Sequence, residues 1–252
     1  MINYKKIKMK KLIIVLLSTL IFVMIFLSNQ TLQILFNDKI WAHKINNIER
    51  FDEASIKFYG IEFDLMFYPD SNHFDINHPP DSSFNLSLAT YFQKQINNTD
   101  YHYWIDFKNL NQLNYLKASY VLDSLVSVYK LNPDKIIIEA INPHLLSPFQ
   151  QKGYRTSYYV PIDLHKMSEQ KRTEQIEQIN ANLALNKDMY ISFEYKDYPI
   201  LQKSFPDVKK LCWFTLYGSM NKVSARLLVY EILLNPKVEV LLIPFHGKNK
   251  KP

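Results

Sequence analysis

Short apolar segments alternate with longer helical segments along most of this chain, and that alternation limits the folds open to it. Runs rich in Ile, Val, Phe and Tyr predict eight strands, at 40–44, 60–67, 101–108, 135–140, 156–161, 189–195, 210–216 and 238–245. Helical patterns lie between them, most clearly at Asn46–Tyr59, Leu110–Tyr129, Ser168–Leu185 and Ser219–Leu234. Such alternation is typical of a parallel sheet covered by helices. Eight repeats in 252 residues predict an α/β fold, a closed (β/α)8 barrel of the TIM type.

The first 28 residues differ from this pattern. Region 1–11 contains five lysines, and the residues Leu12 to Leu27 carry no charge. We therefore expect a basic cytoplasmic region at 1–11, a transmembrane anchor or signal segment at 12–28, and the barrel at 38–247. Because the lysines precede the apolar run, the barrel is expected on the extracytoplasmic side of a membrane, or secreted if the segment is cleaved.

Charge and cysteine content exclude several classes of protein. The formal net charge is +6, but eight of the lysines lie near the two ends, so the rest of the chain is slightly acidic. This distribution argues against a nucleic-acid partner. The single cysteine, Cys212, excludes an internal disulfide framework and a cysteine-rich zinc site.

A pair of carboxylates marks the second predicted strand. Glu62 and Asp64 are two residues apart, so the period of a strand places both side chains on one face. Two neighbouring anions are costly to bury without a cation. A hard divalent ion such as Mg²⁺ or Ca²⁺, which prefers carboxylate oxygens, is the simplest partner.

Further polar residues come where other predicted strands end. His43 is near the end of the first strand, His78 ends an extended segment at 74–78, and Asp106 and Lys108 share a face of the third strand. In a β/α barrel the carboxyl ends of the strands form the face that carries chemistry. The sequence therefore predicts one site at that face, with three carboxylates, two imidazoles and an ammonium.

These residues resemble a known pattern. In order and strand position, they are similar to the phosphatidylinositol-phospholipase-C-like phosphodiesterase superfamily, in the motifs His43, Glu62-x-Asp64, His78 and Asp106-x-Lys108. That superfamily includes glycerophosphodiester phosphodiesterases and venom sphingomyelinases D, and the segments Ala42-His43-x-x-Asn46 and His78-Pro79-Pro80 look closest to its menorin-like members. The match covers residues 41–109. The chain departs from the glycerophosphodiester enzymes at His43-Lys44-Ile45, where they resemble His-Arg-Gly.

The resemblance implies a metal-dependent phosphodiesterase that acts on a glycerophosphodiester or a (lyso)phospholipid headgroup. It implies that Glu62, Asp64 and Asp106 hold the divalent cation, with Lys108 as a further positive charge for the substrate. His43 and His78 would form the acid and base pair, and the sequence leaves open which is which.

Two more residues are candidates for the pocket, and two other functions stay open. Glu139 and Trp213, on the fourth and seventh strands, are expected to line the pocket and contact substrate. His73 and His102 are expected in solvated loops. The first alternative is a catalytically inactive barrel that binds a ligand or partner, and the second is a glycoside hydrolase that uses Glu139 and Glu194.

Overall fold

A computed structural model describes residues 2–81, 83, 85–98, 100–186, 188–214 and 223–247. Within these ranges the chain forms nine strands. They are β1 Ile40–His43, β2 Gly60–Tyr68, β3 His73–Ile76, β4 His102–Phe107, β5 Ile136–Ala140, β6 Arg155–Tyr159, β7 Tyr190–Glu194, β8 Lys210–Trp213 and β9 Val238–Pro244. All eight predicted strands are confirmed. The last residues predicted for the seventh of them, 215 and 216, lie outside the described ranges, as do the three lysines near the carboxyl terminus.

Eight of these strands close into a parallel barrel. β1 pairs with β2 through Ala42 and Ile61, and with β9 along its whole length from Ile40 opposite Leu241. The sheet therefore has no free edge between its first and last strands. β3 is outside the barrel and runs antiparallel to the end of β2, with Leu65 opposite Ile76.

Nine α-helices lie in the described part of the chain. They are α1 Ile2–Leu27, α2 Asn29–Leu35, α3 Ile48–Lys57, α4 Leu88–Lys94, α5 Tyr115–Val128, α6 Ser147–Gln150, α7 Glu169–Ala184, α8 Tyr198–Ser204 and α9 Val223–Leu234. Capping explains where several begin: the side chain of Asn47 accepts from the N–H of Arg50 at α3, and that of Ser168 accepts from Lys171 at α7. The predicted helices are confirmed, except that the first residues of the one predicted from Ser219 lie outside the described ranges.

The barrel interior is filled by large side chains. Seven buried residues form one cluster there: Trp41, Trp104, Ile137, Tyr190, Leu211, Val240 and Leu242. A larger apolar cluster involves the helices and the outer faces of the strands. The interior is packed with side chains, and a site in such a barrel is expected at the carboxyl ends of its strands.

Two expectations from the sequence are not supported. Within the part of the chain that the structure describes, no helix combines the length and the apolar character needed to cross a membrane, so the anchor expected at 12–28 gains no support. Neither histidine expected in a solvated loop lies in one: His73 is the first residue of β3 and is half-buried. His102 is the first residue of β4 and only 6% exposed. The rings of Trp41 and Tyr59 pack on its imidazole, with centroids 5.4 and 4.4 Å away.

Candidate active site

A cleft with a cavity volume of about 150 Å³ opens where the parallel strands end. Twelve residues line it: His43, Lys44, Glu62, Asp64, His78, Trp104, Asp106, Lys108, Glu139, Tyr159, Trp213 and Leu242. All eight of the site residues predicted from the sequence are in that set. Their location at one mouth agrees with the prediction, while their roles remain predictions.

The two carboxylates of β2 are buried and held by the loop that follows β1. Glu62 is 3% and Asp64 1% exposed. The backbone N–H of Lys44 donates to Oε2 of Glu62 at 2.8 Å, from a residue whose φ is +56°. The side chain of Asn46 donates to Oδ2 of Asp64 at 2.5 Å and accepts from the Asp64 N–H at 3.0 Å. Both carboxylates therefore have fixed orientations.

Lys108 joins the carboxylates of neighbouring strands. Asp64 and Asp106 are opposite each other in the pairing of β2 with β4. The Nζ atom of Lys108 lies 2.7 Å from Oδ1 of Asp64 and also forms an ion pair with Asp106. Burial alone would lower the pKa of Lys108, but Asp106 and then Asp64 raise it above its usual value. The lysine is therefore positively charged at neutral pH.

Glu62, Asp64 and Asp106 offer a donor set that fits a divalent ion. Their ligand oxygens all lie within 4.8 Å of one another. Burial, and then the charges of Asp64 and Asp106, raise the pKa of Glu62 well above its usual value, and burial likewise raises the pKa of Asp106. The single positive charge of Lys108 does not balance the negative charge that the three carboxylates can carry. Carboxylate oxygens are also the ligands that hard divalent cations prefer.

His43 has two different neighbours at its two ring nitrogens. Nδ1 lies 3.1 Å from the carbonyl oxygen of Phe214, and Nε2 lies 3.6 Å from Oε2 of Glu62. Burial, followed by the charge of Lys44, lowers the pKa of His43 to about 4. The neutral ring donates from Nδ1 to the carbonyl, which leaves Nε2 as the acceptor on the side of Glu62.

His78 reaches the cleft from the loop after β3. It is half-buried, and its position depends on the antiparallel pairing of β3 with β2. The N–H of Asn77 donates to the carbonyl oxygen of Asp64 at 3.2 Å, which ties this loop to the strand that carries the acidic pair. His78 and His43 thus line the same cleft from different loops.

An acid on β5, the strand next to β4, and aromatic rings on β6 and β8 also line the cleft. Glu139 is 2% exposed, and its Oε2 atom has no hydrogen-bond partner among the described residues. Burial, and next the charge of Asp106, raise the pKa of Glu139 well above its usual value. The rings of Tyr159 and Trp213 are nearly parallel, at 12°, with centroids 6.1 Å apart. Glu194, in contrast, pairs with Lys196 at 3.1 Å and is not among the described residues that line the cleft.

Several residues at the site were not predicted. Tyr159 is the last residue of β6, the strand predicted at 156–161, so the strand-end rule that selected Glu139 also applies to it. Trp104 precedes Asp106 by two residues and shares its face, which is likewise a readable signal. Asn46 belongs to the first motif, but its bonds to Asp64 depend on the loop conformation, which the sequence does not indicate.

Comparison with known proteins places the fold. No protein-family model and no curated protein sequence matches the chain. A solved glycerophosphodiester phosphodiesterase from Parabacteroides distasonis is similar at 15% identity, with a TM-score of 0.57 over 82% of this chain and 92% of that one. A phosphodiesterase from Oleispira antarctica, solved in complex with its product sn-glycerol-3-phosphate, is similar at 11% identity, with a TM-score of 0.52 over 82% and 94%.

The chain therefore shares its fold with solved glycerophosphodiester phosphodiesterases. The resemblance seen in residues 41–109 is confirmed at the level of the fold. The likeness also extends over four fifths of the chain, far beyond the motifs.

Proposed function

We propose that this protein is a metal-dependent phosphodiesterase that acts on a glycerophosphodiester or on the headgroup of a (lyso)phospholipid. One observation carries the proposal. Two buried carboxylates and a partly buried one, a charged lysine and two histidines line a single cleft at the carboxyl end of a barrel with the fold of known phosphodiesterases. The ligand of the Oleispira antarctica enzyme, sn-glycerol-3-phosphate, supports a small phosphate ester as the occupant of such a cleft.

Glu62, Asp64 and Asp106 would hold the divalent cation, Mg²⁺ or Ca²⁺. When bound, that ion supplies positive charge against the phosphoryl oxygens and stabilises the charge that develops during attack at phosphorus. Lys108 adds a fixed positive charge beside the same carboxylates. Its ammonium group attracts the phosphodiester anion as a point charge.

The two histidines would transfer the protons. His43 is neutral at physiological pH, and its Nε2 is free to accept a proton, which makes it the base toward the attacking hydroxyl or water. His78, on the other loop, would then give a proton to the leaving oxygen. The carbonyl of Phe214 keeps the imidazole of His43 in the tautomer that this role requires.

Glu139 and the two aromatic rings would contact the alcohol part of the substrate. The free Oε2 of Glu139 accepts from, or donates to, a polar group of that alcohol, according to its protonation. The rings of Tyr159 and Trp213 provide an apolar wall for its carbon skeleton.

Export is a further proposal, and the sequence supports it. The lysines at 5–11 precede an uncharged apolar stretch, and the described side chains from Leu12 to Leu17 are all about half exposed or more. We propose that the barrel works on the outer side of a membrane, anchored or secreted. Protease added to intact cells should then degrade the barrel, whereas protection until lysis would contradict export.

The decisive experiment for the activity is an assay of the purified full-length chain on a panel of glycerophosphodiesters and lysophospholipids. Each substrate is tested with Mg²⁺, with Ca²⁺ and with chelator, for the wild type, His43→Ala and Glu62→Ala. Glu49→Ala is the matched control, because Glu49 is an exposed carboxylate in the first turn of α3. We expect turnover that chelator and both site variants abolish and that Glu49→Ala leaves unchanged.

The same assay separates the alternatives. A folded chain that binds a divalent ion and turns over none of the panel would support an inactive ligand-binding barrel. Activity that survives chelator and is lost in Glu139→Gln would support a glycoside hydrolase instead.

A further inference from the structure

The loop between β1 and α3 holds both carboxylates of β2. The backbone N–H of Lys44 donates a hydrogen bond to the carboxylate of Glu62, and the N–H of Ile45 donates to the carbonyl oxygen of Glu62 at 2.8 Å. Asn46 bonds Asp64 twice, through Nδ2 to the carboxylate at 2.5 Å and through Oδ1 from the backbone at 3.0 Å. The amide nitrogen must face the carboxylate, which accepts, and the amide oxygen must face the backbone N–H, which donates. Only one orientation of the amide satisfies both partners, so the Asn46 side chain is fixed.

We propose that Asn46 is a positioning residue that sets the orientation of Asp64 for the divalent ion. This inference rests on the proposed function, because it requires that the carboxylate cluster binds such an ion. The role of Asn46, to orient a metal ligand, is distinct from the roles proposed for the two histidines, for the lysine and for the carboxylates.

The two oxygens of Asp64 have different neighbours, and that division supports the role. Oδ2 accepts from the Asn46 amide, while Oδ1 points to Lys108 at 2.7 Å and so toward Asp106. An amide donor is neutral, so it orients the carboxylate without cancelling its charge. Lys108 does cancel charge and therefore cannot replace Asn46 in this respect.

Ligand orientation of this kind has a measurable effect on ion binding. A carboxylate that turns freely must lose that freedom when the ion binds, which weakens affinity. Loss of a hydrogen bond that supports a metal ligand typically weakens metal affinity about 10- to 100-fold. We expect an effect in that range when the Asn46 amide is removed.

The chain offers a matched control in Asn109. Its side chain donates to the carbonyl oxygen of Phe67 at 2.8 Å and accepts from the Phe67 N–H at 2.9 Å. Like Asn46, Asn109 makes two side-chain hydrogen bonds to β2, one as donor and one as acceptor. Both go to the backbone of Phe67, which lies three residues beyond Asp64, and neither goes to a carboxylate. Its loss removes two similar hydrogen bonds without freeing a carboxylate.

The test measures ion binding directly, without substrate. Full-length wild type, Asn46→Ala and Asn109→Ala are titrated with Mg²⁺ and with Ca²⁺ by calorimetry, and their unfolding is followed in chelator. Asn46→Ala should raise the ion Kd about 10- to 100-fold. Asn109→Ala should leave the Kd within about twofold, although both variants lose stability. Asn46→Ser, which is too short to reach Oδ2 of Asp64, should behave like Asn46→Ala and serves if the alanine variant does not fold.

Two results would overturn the inference, and they differ. If the wild type binds the ion and the Asn46 variants bind it equally well, the side chain supports only the loop. If the wild type binds neither ion, the metal part of the proposed function fails, and the role of Asn46 fails with it.

Discussion

Nε2 of His43 lies 3.6 Å from Oε2 of Glu62, so a predicted proton-transfer group and a predicted metal ligand meet at one carboxylate edge. The other nitrogen of the ring is held by a carbonyl from the opposite end of the chain, that of Phe214. The imidazole is thus aimed at the carboxylate cluster by a contact that does not involve the cluster. Proton transfer and ion binding are therefore separable by mutation.

His43→Ala should lower kcat by about 10²- to 10⁴-fold, the usual contribution of one positioned proton-transfer group. Ion affinity should change little, because the three carboxylates remain. Turnover is measured on whichever phosphodiester the wild type accepts, and ion binding by calorimetry. His144→Ala is the control, since that imidazole is exposed in the loop after β5. A kcat within twofold of the wild type would remove His43 from the chemistry.

A glycine on β2 is required by the packing of the barrel interior. A Cβ added to Gly60 would lie 2.6 to 2.8 Å from three ring atoms of Trp41, which is too close for unstrained packing. Gly60→Ala should therefore cost about 1–3 kcal/mol of unfolding free energy. The cost should shrink in a Trp41→Leu background, where the indole is gone. Denaturant unfolding of the four combinations tests this, and equal costs in both backgrounds would show that the ring is not the cause.

The barrel and most of the site were predictable because their signals are local. A strand shows its period within a few residues, and a charged residue such as Glu139 at the end of an apolar strand marks the mouth. The order of the strands then follows from parallel pairing. Eight strands and eight site residues could be placed in this way without knowledge of any contact between them.

The remaining features depend on contacts between distant parts of the chain. The bond of His43 to Phe214 spans 171 residues, and the parallel rings of Tyr159 and Trp213 come from different strands. His102 flanks the site motifs and was predicted to lie in a solvated loop. It is buried because Trp41 and Tyr59 cover it, which no local pattern indicates.

His102 makes the stability of the protein sensitive to acid. Burial, and then the charge of Arg155, lower the pKa of His102 to about 4, from its usual value of 6.5. Between these two values the unfolded chain binds the proton and the folded chain does not. Stability is therefore fully present above pH 6.5 and is lost as the pH falls toward 4.

His102→Phe should reduce that loss. The phenyl ring keeps the contacts with Trp41 and Tyr59, and the Nδ1 atom it removes has no hydrogen-bond partner among the described residues. From pH 6.5 to 4 the unfolding free energy of the variant should depend less steeply on pH, by up to one proton, or about 1.4 kcal/mol per pH unit. Denaturant unfolding across this range measures the slope. An unchanged slope would mean that His102 takes up its proton in the folded protein.

Lys108 stabilises the carboxylate cluster, and a divalent ion should take over part of that task. Lys108→Met removes the ammonium between Asp64 and Asp106 and leaves the buried carboxylate of Asp64 and the partly buried one of Asp106 without it. In chelator, unfolding free energy should fall by roughly 3 kcal/mol, as expected when one partner of a buried ion pair is lost. With saturating Mg²⁺ or Ca²⁺ the difference from the wild type should shrink, because the ion neutralises the same groups. Activity should fall in both conditions.

The control is Lys152→Met. Lys152 pairs with a single carboxylate, that of Asp123, at 3.1 Å, and its side chain is 22% exposed against 23% for Lys108. The side chain of Asp123 is 37% exposed, against 1% for Asp64, so this pair contributes only about 0–1 kcal/mol. Among the described residues, no group of metal-ligating side chains includes Asp123. The loss of unfolding free energy in Lys152→Met should therefore be small and equal with and without the ion. If the loss of unfolding free energy in Lys108→Met were likewise equal in chelator and in excess ion, the ion would not bind at the carboxylates that Lys108 contacts.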